Sequence, residues 1–131
     1  MIDYTLNKPA TFEQAISNLY EIVTLLRSED GCPWDREQTP KAVSGAIVDE
    51  TYEYIDALLK KDNDLSSEEI GDVMLNVIMA LRIHEEYDDF SPVTSIHHVC
   101  EKLIRRHPHV FSTASAANSE EVLEKKVDVQ N

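Results

Sequence analysis

Four acidic side chains lie at helical spacing in two neighbouring segments of the chain. Glu50 and Glu53 are three residues apart, and so are Glu69 and Asp72. Because residues three apart project side by side from a helix, each pair presents two carboxylates on one face. An antiparallel helix hairpin would bring the pairs together as four oxygen ligands. Such a set suits Mg²⁺, with Mn²⁺ as a substitute, better than zinc or copper.

The placement of the first pair is unusual for an acidic protein. With residues set 100° apart around a helix, an apolar stripe runs through Val43, Ala46, Tyr54 and Ala57. Glu50 and Glu53 fall within this stripe, although burying an ionised carboxylate costs several kcal/mol unless it is paired or metal-bound. For each pair alone, a solvated face remains an alternative, because 25 Asp and Glu residues produce such spacings by chance.

Two residues are candidates for holding the uncharged part of a substrate. Asn76 shares the polar edge of its helix with Glu69 and Asp72, and we assign it to substrate binding. Trp34 is the single tryptophan and stands in the segment 31–35 (GCPWD), whose proline restricts the backbone. Packing is the commoner role for such a tryptophan, and stacking on a base is the alternative that the nearby acidic pairs favour.

A basic patch closes the last long helix of an otherwise negative chain. Lys102, Arg105 and Arg106 are its candidates for clamping a phosphate, since arginine makes bidentate contacts with phosphate oxygens. Favourable interaction of cations with a helix C-terminus explains such clusters equally well. A ferritin-like di-iron bundle is excluded, because no histidine has a glutamate three residues before it.

Four amphipathic segments must position these residues. Apolar periodicity and capping signals predict helices over about 11–30, 39–61, 66–86 and 91–106, with a non-helical loop at 31–35 and a turn at 62–64. We expect a short helix at about 120–127 in the polar tail 112–131. The second helix carries another apolar row, consisting of Val48, Tyr52, Ile55 and Leu59, which predicts burial on both of its sides.

Composition restricts the class of protein. With 131 residues, 42% of them hydrophobic, the chain suffices for one domain, 1–131, with a core over about 11–111. Only 3 Gly and 5 Pro favour an all-α antiparallel bundle of four main helices plus a short C-terminal one. The net charge of −13 excludes binding to a nucleic-acid polymer or an anionic membrane by bulk attraction. We expect a reduced, cytoplasmic protein with no membrane span.

Four motifs in order resemble those of the MazG-type nucleotide pyrophosphohydrolases. They are residues 31–35 (GCPWD) with 38–39 (QT), 49–53 (DETYE), 69–72 (EIGD) and 102–111 (KLIRRHPHVF). The resemblance covers about residues 26–111 and also residues 118–124. It departs from the family at Asp49, where glutamate is usual. It implies an all-α dimer or dimer of dimers, here a homodimer or homotetramer, in which paired helices build the site.

The resemblance also implies an activity. Members hydrolyse nucleoside triphosphates to the monophosphate and pyrophosphate with Mg²⁺, which makes Glu50, Glu53, Glu69 and Asp72 the metal ligands. Our own hypothesis is that Glu50 or Glu53 also acts as the catalytic base. Lys102, Arg105 and Arg106 would neutralise the phosphates. Two alternatives stay open: a pyrophosphohydrolase acting on a phosphoribosyl nucleotide, and a helical interaction module that kept the fold without the activity.

Overall fold

The computed structural model describes residues 1–111, and these residues form helices without any strand. In chain order the helices are α1 (Phe12–Leu26), α2 (Pro33–Arg36), α3 (Pro40–Leu59), α4 (Asn63–Glu86), α5 (Pro92–Arg106) and α6 (Pro108–Phe111). The all-α prediction is therefore confirmed. The predicted tail helix at 120–127 lies outside the described residues.

The chain divides into two compact units, of which the first is Met1–Asp89 and the second begins at Phe90. In the first unit α3 and α4 pack along each other as a hairpin, and α1 packs on α4. Its core consists of Val23, Val43, Ile78, Met79 and Ile83. These residues come from α1, α3 and α4, so burial of their apolar stripes holds the three helices together. The single domain over 1–131 stays a prediction.

Hydroxyl caps begin three of the long helices where the sequence predicts them. The side-chain oxygen of Thr11 accepts from the backbone N–H of Gln14 at 3.1 Å, and Thr39 caps α3 through Ala42 at 3.2 Å. Ser91 caps α5 in the same way, and Pro40 and Pro92 follow their caps at the first helical position. Each cap satisfies a backbone donor that the helix itself leaves unpaired.

The turn between α3 and α4 is tighter than predicted. Lys61 adopts a left-handed conformation with φ of 54°, and the N–H of Asp62 donates to the carbonyl of Ala57 at 3.2 Å, which forms a Schellman motif. Asp62 also caps α4 by accepting from the N–H of Leu65 at 3.0 Å. The prediction that this helix starts at about 66 was wrong, because the cap lets it begin at Asn63.

The segment 31–35 was predicted as a loop, but Pro33–Arg36 form the single helical turn α2. Cys32 is extended, with φ of −95° and ψ of 122°, as expected before a proline. Pro33 then occupies the first helical position, where its missing N–H costs nothing. Pro33 therefore prevents α1 from continuing through this segment and also begins α2.

The second unit contributes α5 and α6 to the described residues. Several large apolar side chains of α5 are exposed, namely Val93, Ile96, Val99, Leu103 and Ile104. Up to residue 111, none of the helices combines the length and the apolar character that crossing a bilayer requires.

Candidate active site

The α3–α4 hairpin gathers three carboxylates. Glu50 on α3 and Glu69 and Asp72 on α4 each offer an oxygen, and the three oxygens lie within 4.8 Å of one another. All three residues are partly buried. Like charges at this separation repel one another, and partial removal of water strengthens the repulsion. We call these three residues the acidic cluster; its donors are the hard oxygen ligands that Mg²⁺ prefers.

The environment of the acidic cluster shifts the pKa of Glu69. Partial burial raises the pKa of Glu69 above its ordinary value, and the charges of Glu50 and Asp72 raise it further. A hydrogen bond with Glu50 and the charge of Glu53 act in the same direction. Desolvation and neighbouring negative charge both disfavour the ionised carboxylate. A bound cation would have the opposite effect on this pKa.

Glu53 stands apart from the other three predicted ligands. It is exposed, and it is not a member of the acidic cluster. It lies near enough for its charge to act on Glu69. Its role as a fourth ligand or as the catalytic base stays a prediction.

A cavity of about 330 Å³ lies between α2, α3 and α4. Its walls are Trp34, Gln38, Ala42, Val43, Gly45, Ala46, Asp49, Asn76 and Met79. Four of the five lining residues of α3 have small or short side chains, and a Cβ added to Gly45 would meet no atom within 4 Å. A volume of this size is at the lower end of small-molecule sites, which run from roughly 300 to 1,000 Å³.

The cavity and the acidic cluster are neighbours on the hairpin. Asp49 lines the cavity and directly precedes Glu50, while Asn76 lines it one helical turn beyond Asp72. The side-chain amide of Asn76 donates to the backbone carbonyl of Asp72 at 3.0 Å, so a residue of the cavity wall is hydrogen-bonded to a residue of the cluster. The structure thus brings Trp34 and Asn76, both predicted for substrate binding, to one cavity beside the carboxylates.

The predicted phosphate-binding residues belong to the second unit. Lys102 and Arg105 are exposed on α5, and Arg106 at its end is partly buried. Their contact with phosphate stays a prediction. Both arginines also lie in the last turn of α5, where cations interact favourably with the helix dipole.

Sequence reasoning did not assign a role to three residues that shape the site. Gln38 and Asp49 line the cavity, and both lie inside the motifs quoted above, so the motifs were the available signal. Arg27 fastens α2, and no local pattern indicates it, because its partners lie elsewhere in the chain.

The structure defines an all-α domain in which a helical hairpin holds a candidate cation site beside a small cavity. Residues 38–111 match the model of the MazG nucleotide pyrophosphohydrolase domain. This match covers more than half of the chain, so the chain belongs to the MazG family. The resemblance drawn from the four motifs is confirmed.

Curated relatives carry the corresponding names. The chain is 43% identical over 100 residues to a Thermotoga maritima protein named nucleoside triphosphate pyrophosphohydrolase/pyrophosphatase MazG, which covers 76% of this chain and 38% of that protein. It is 40% identical over 111 residues to the nucleoside triphosphate pyrophosphohydrolase of Escherichia coli strain K12, which covers 82% of this chain and 41% of that protein. The chain therefore spans about two fifths of the length of these relatives.

A solved structure supports the fold. The crystal structure of a mazG-related protein from Thermotoga maritima superposes with a TM-score of 0.76 at 25% identity. The match covers 87% of this chain and 97% of that one.

Proposed function

We propose that this chain is a Mg²⁺-dependent nucleoside triphosphate pyrophosphohydrolase that releases a nucleoside monophosphate and pyrophosphate. The observation that carries the proposal is the acidic cluster next to the cavity that Trp34 and Asn76 line. This pairing matches the two ends of the substrate, a charged triphosphate and a flat base. Membership of the MazG family and the names of the relatives support the same reaction.

The acidic cluster fits a divalent cation by the chemistry of its donors. Three carboxylates lie close together, and both desolvation and the negative charges of Glu50 and Asp72 raise the pKa of Glu69. Glu50, Glu69 and Asp72 would hold Mg²⁺, with Glu53 as the further predicted ligand. When bound, Mg²⁺ supplies positive charge that offsets the triphosphate and lowers the pKa of the attacking water.

The chain's own residues must accept a proton during hydrolysis. Water attacks one of the two phosphorus atoms of the α–β phosphoanhydride and the bridging P–O bond of that atom breaks. The other phosphate fragment leaves with the bond electrons, so that the products are the monophosphate and pyrophosphate. Glu50 and Glu53 are our candidates for accepting the proton from this water. Glu53 is the more exposed of the two and lies outside the acidic cluster, so its carboxylate is the less constrained by the neighbouring carboxylates.

The cavity orients the nucleoside in this proposal. Trp34 offers an aromatic face for stacking on the base, and the amide of Asn76 offers hydrogen bonds at the end nearest the acidic cluster. The small side chains of α3 leave the base room to enter. Lys102, Arg105 and Arg106 neutralise the phosphates in our proposal, with arginine making the bidentate contacts.

We also propose that the chain assembles as a homodimer or homotetramer. Val48, Tyr52, Ile55 and Leu59 are exposed on α3, and Ile47, Val48, Thr51, Tyr52 and Ile55 line a shallow apolar depression there. A contiguous apolar surface of this kind is typical of interfaces. A second copy of the chain would bury it, as the family resemblance implies.

The deciding experiment measures pyrophosphate release from a panel of ribo- and deoxyribonucleoside triphosphates with Mg²⁺ and with EDTA. We expect release with at least one triphosphate, in equal amount with the monophosphate, and none with EDTA. Faster turnover of a phosphoribosyl nucleotide would show that the substrate belongs to that class, and the proposed pyrophosphohydrolase reaction would still hold.

A metal titration separates the enzyme from an inactive interaction module. We expect calorimetry to show saturable Mg²⁺ binding and a melting temperature that rises with Mg²⁺ concentration. An interaction module without the site would show neither effect and would release no pyrophosphate.

A further inference from the structure

We infer that Arg27 is a positioning residue that holds α2, and with it Trp34 and Gln38, at the distance from α4 that the nucleoside cavity requires. This inference rests on the proposed function for its substrate, but its structural part can be tested without any nucleotide. Arg27 lies outside the cavity, so it acts through α2 and does not touch the substrate itself.

The guanidinium of Arg27 joins two parts of the first unit. Its Nε donates to both carboxylate oxygens of Glu86 at 3.0 Å, and its Nη2 donates to Oε2 at 2.7 Å. Its Nη1 donates to the backbone carbonyl of Gln38 at 3.3 Å and also to that of Asp35. Only 4% of its side chain is exposed. A charge removed from water to this extent needs such complete pairing to be tolerated.

Helix α2 depends on contacts of this kind. It has four residues, and an isolated turn of that length is not stable in water. The carbonyl of Asp35 lies in the last turn of α2 and that of Gln38 lies two residues beyond its end, near the helix terminus that carries a partial negative charge. Arg27 supplies a further donor to each carbonyl and a compensating positive charge.

Further hydrogen bonds fasten α2 to the end of α1 and to the residues that follow it. The N–H of Cys32 donates to the carbonyl of Leu26 at 2.8 Å, and Arg36 donates to the carbonyl of Ser28 at 3.1 Å. A Cβ on Gly31 would overlap the carbonyl oxygens of Leu25 and Leu26, so glycine is required for this close approach. None of these contacts reaches α4.

The bond from Arg27 to Glu86 is therefore the link from α2 to α4 among these polar contacts. Trp34 and Gln38 form one wall of the cavity, and Asn76 and Met79 on α4 form another. The amide of Gln38 donates to the carbonyl of Trp34 at 3.2 Å, so both side chains move with α2. Arg27 thus bridges the segment that carries one wall to the helix that carries the other, in addition to the packing of α1 on α4.

The experiment compares Arg27→Lys and Arg27→Gln with the full-length wild type. Lysine keeps the charge but cannot bond Glu86 and two carbonyls at once, because it lacks the planar fork. Trp34 is the only tryptophan, so its fluorescence anisotropy reports the mobility of α2 directly. The matched control is Arg82→Gln, which removes a guanidinium that contacts Glu85 and Glu86 on its own helix.

We expect Trp34 anisotropy to fall in both Arg27 variants and to stay unchanged in Arg82→Gln. We expect KM for the preferred triphosphate to rise about tenfold, while kcat changes less than about threefold, because misplacing a binding wall weakens binding more than chemistry. Mg²⁺ affinity without nucleotide should stay at the wild-type value in Arg27→Lys, since the acidic cluster is untouched.

The inference would be overturned if folded Arg27→Lys kept wild-type anisotropy, or if Arg82→Gln changed KM as much as the Arg27 variants do. Equal losses in kcat and in Mg²⁺ affinity would also overturn it, because they would show a general loss of structure. If the wild type released no pyrophosphate from any triphosphate, the proposed function would fail, and the anisotropy comparison would still decide how α2 is held.

Discussion

Each of the two faces of α3 departs from the usual distribution of side chains. Toward α4, Glu50 is partly buried and shares the acidic cluster with two further carboxylates. On the outer face, Tyr52 is 67% exposed and Leu59 is 78% exposed. The inner face thus places a carboxylate beside buried apolar residues such as Val43, and the outer face exposes apolar residues where charge is expected.

The two faces of α3 therefore need different partners, a cation for the inner face and an apolar surface for the outer face. A cation stabilises carboxylates that lie close together, because attraction to the cation offsets their mutual repulsion and their lost hydration. Exposed apolar side chains are stabilised by packing against another apolar surface, because that packing removes them from unfavourable contact with water. Salt, metal and pH should therefore act on the inner face, and protein concentration should act on the outer face.

The largest effect is expected from the inner face. Glu50→Gln and Asp72→Asn keep the shape of the side chains but remove one negative charge each. We expect each variant to lower kcat/KM for triphosphate hydrolysis by about 100-fold or more, in line with the loss of a transition-state charge partner. Pyrophosphate release with Mg²⁺ measures this.

The matched control for these variants is Glu68→Gln. Glu68 is exposed, is not a member of the acidic cluster, and directly precedes Glu69 on the same helix. We expect wild-type turnover. The placement of the site is wrong if Glu50→Gln and Asp72→Asn also retain wild-type turnover.

A charge on the outer face should break the assembly. Ile55→Glu places a carboxylate among the exposed apolar residues of α3, and burying it against a second copy would cost several kcal/mol. We expect light scattering to show the monomer mass where the wild type shows a dimer or tetramer. Asp56→Asn, at the neighbouring exposed position, should keep the wild-type mass. A monomeric wild type would contradict the proposed interface.

The response to Mg²⁺ should depend on pH. Because the pKa of Glu69 is raised in the folded chain, the folded state binds this proton more tightly than the unfolded state. The metal-free protein therefore loses stability as pH rises from the ordinary glutamate pKa, about 4.3, through the raised value. Mg²⁺ removes the repulsion at neutral pH, so its effect on the melting temperature should be larger at pH 7 than at pH 5. Equal shifts at both pH values would contradict a cation in the acidic cluster.

The smallest effect is expected at the turn that joins the two helices. Lys61 has a positive φ of 54°, which glycine adopts without steric strain. We expect Lys61→Gly to raise the free energy of unfolding by about 0.5–1 kcal/mol, measured by urea denaturation. Both faces of α3 should keep their properties, since Lys61 contributes to neither. A loss of stability would show that lysine makes a compensating contact.

The sequence by itself determined the helices and the spacing of the acidic pairs. Caps such as Thr11 and Thr39 act over three residues, and carboxylate pairs such as Glu69 and Asp72 follow from the helical period. The motifs were sufficient for the family. The two errors in helix boundaries, at Asn63 and at α2, also arose from local signals. The aspartate that caps α4 and the proline that starts α2 were both interpreted as helix breakers.

Only the tertiary structure decided which side chains meet. It selected Glu50 over Glu53 for the acidic cluster, because packing of α3 on α4 fixes the rotation of each helix and two residues one turn apart then differ in depth. It also joined Arg27 to Glu86, 59 residues further along the chain. Contacts over such separations depend on the packing of whole helices, which no short pattern of residues specifies.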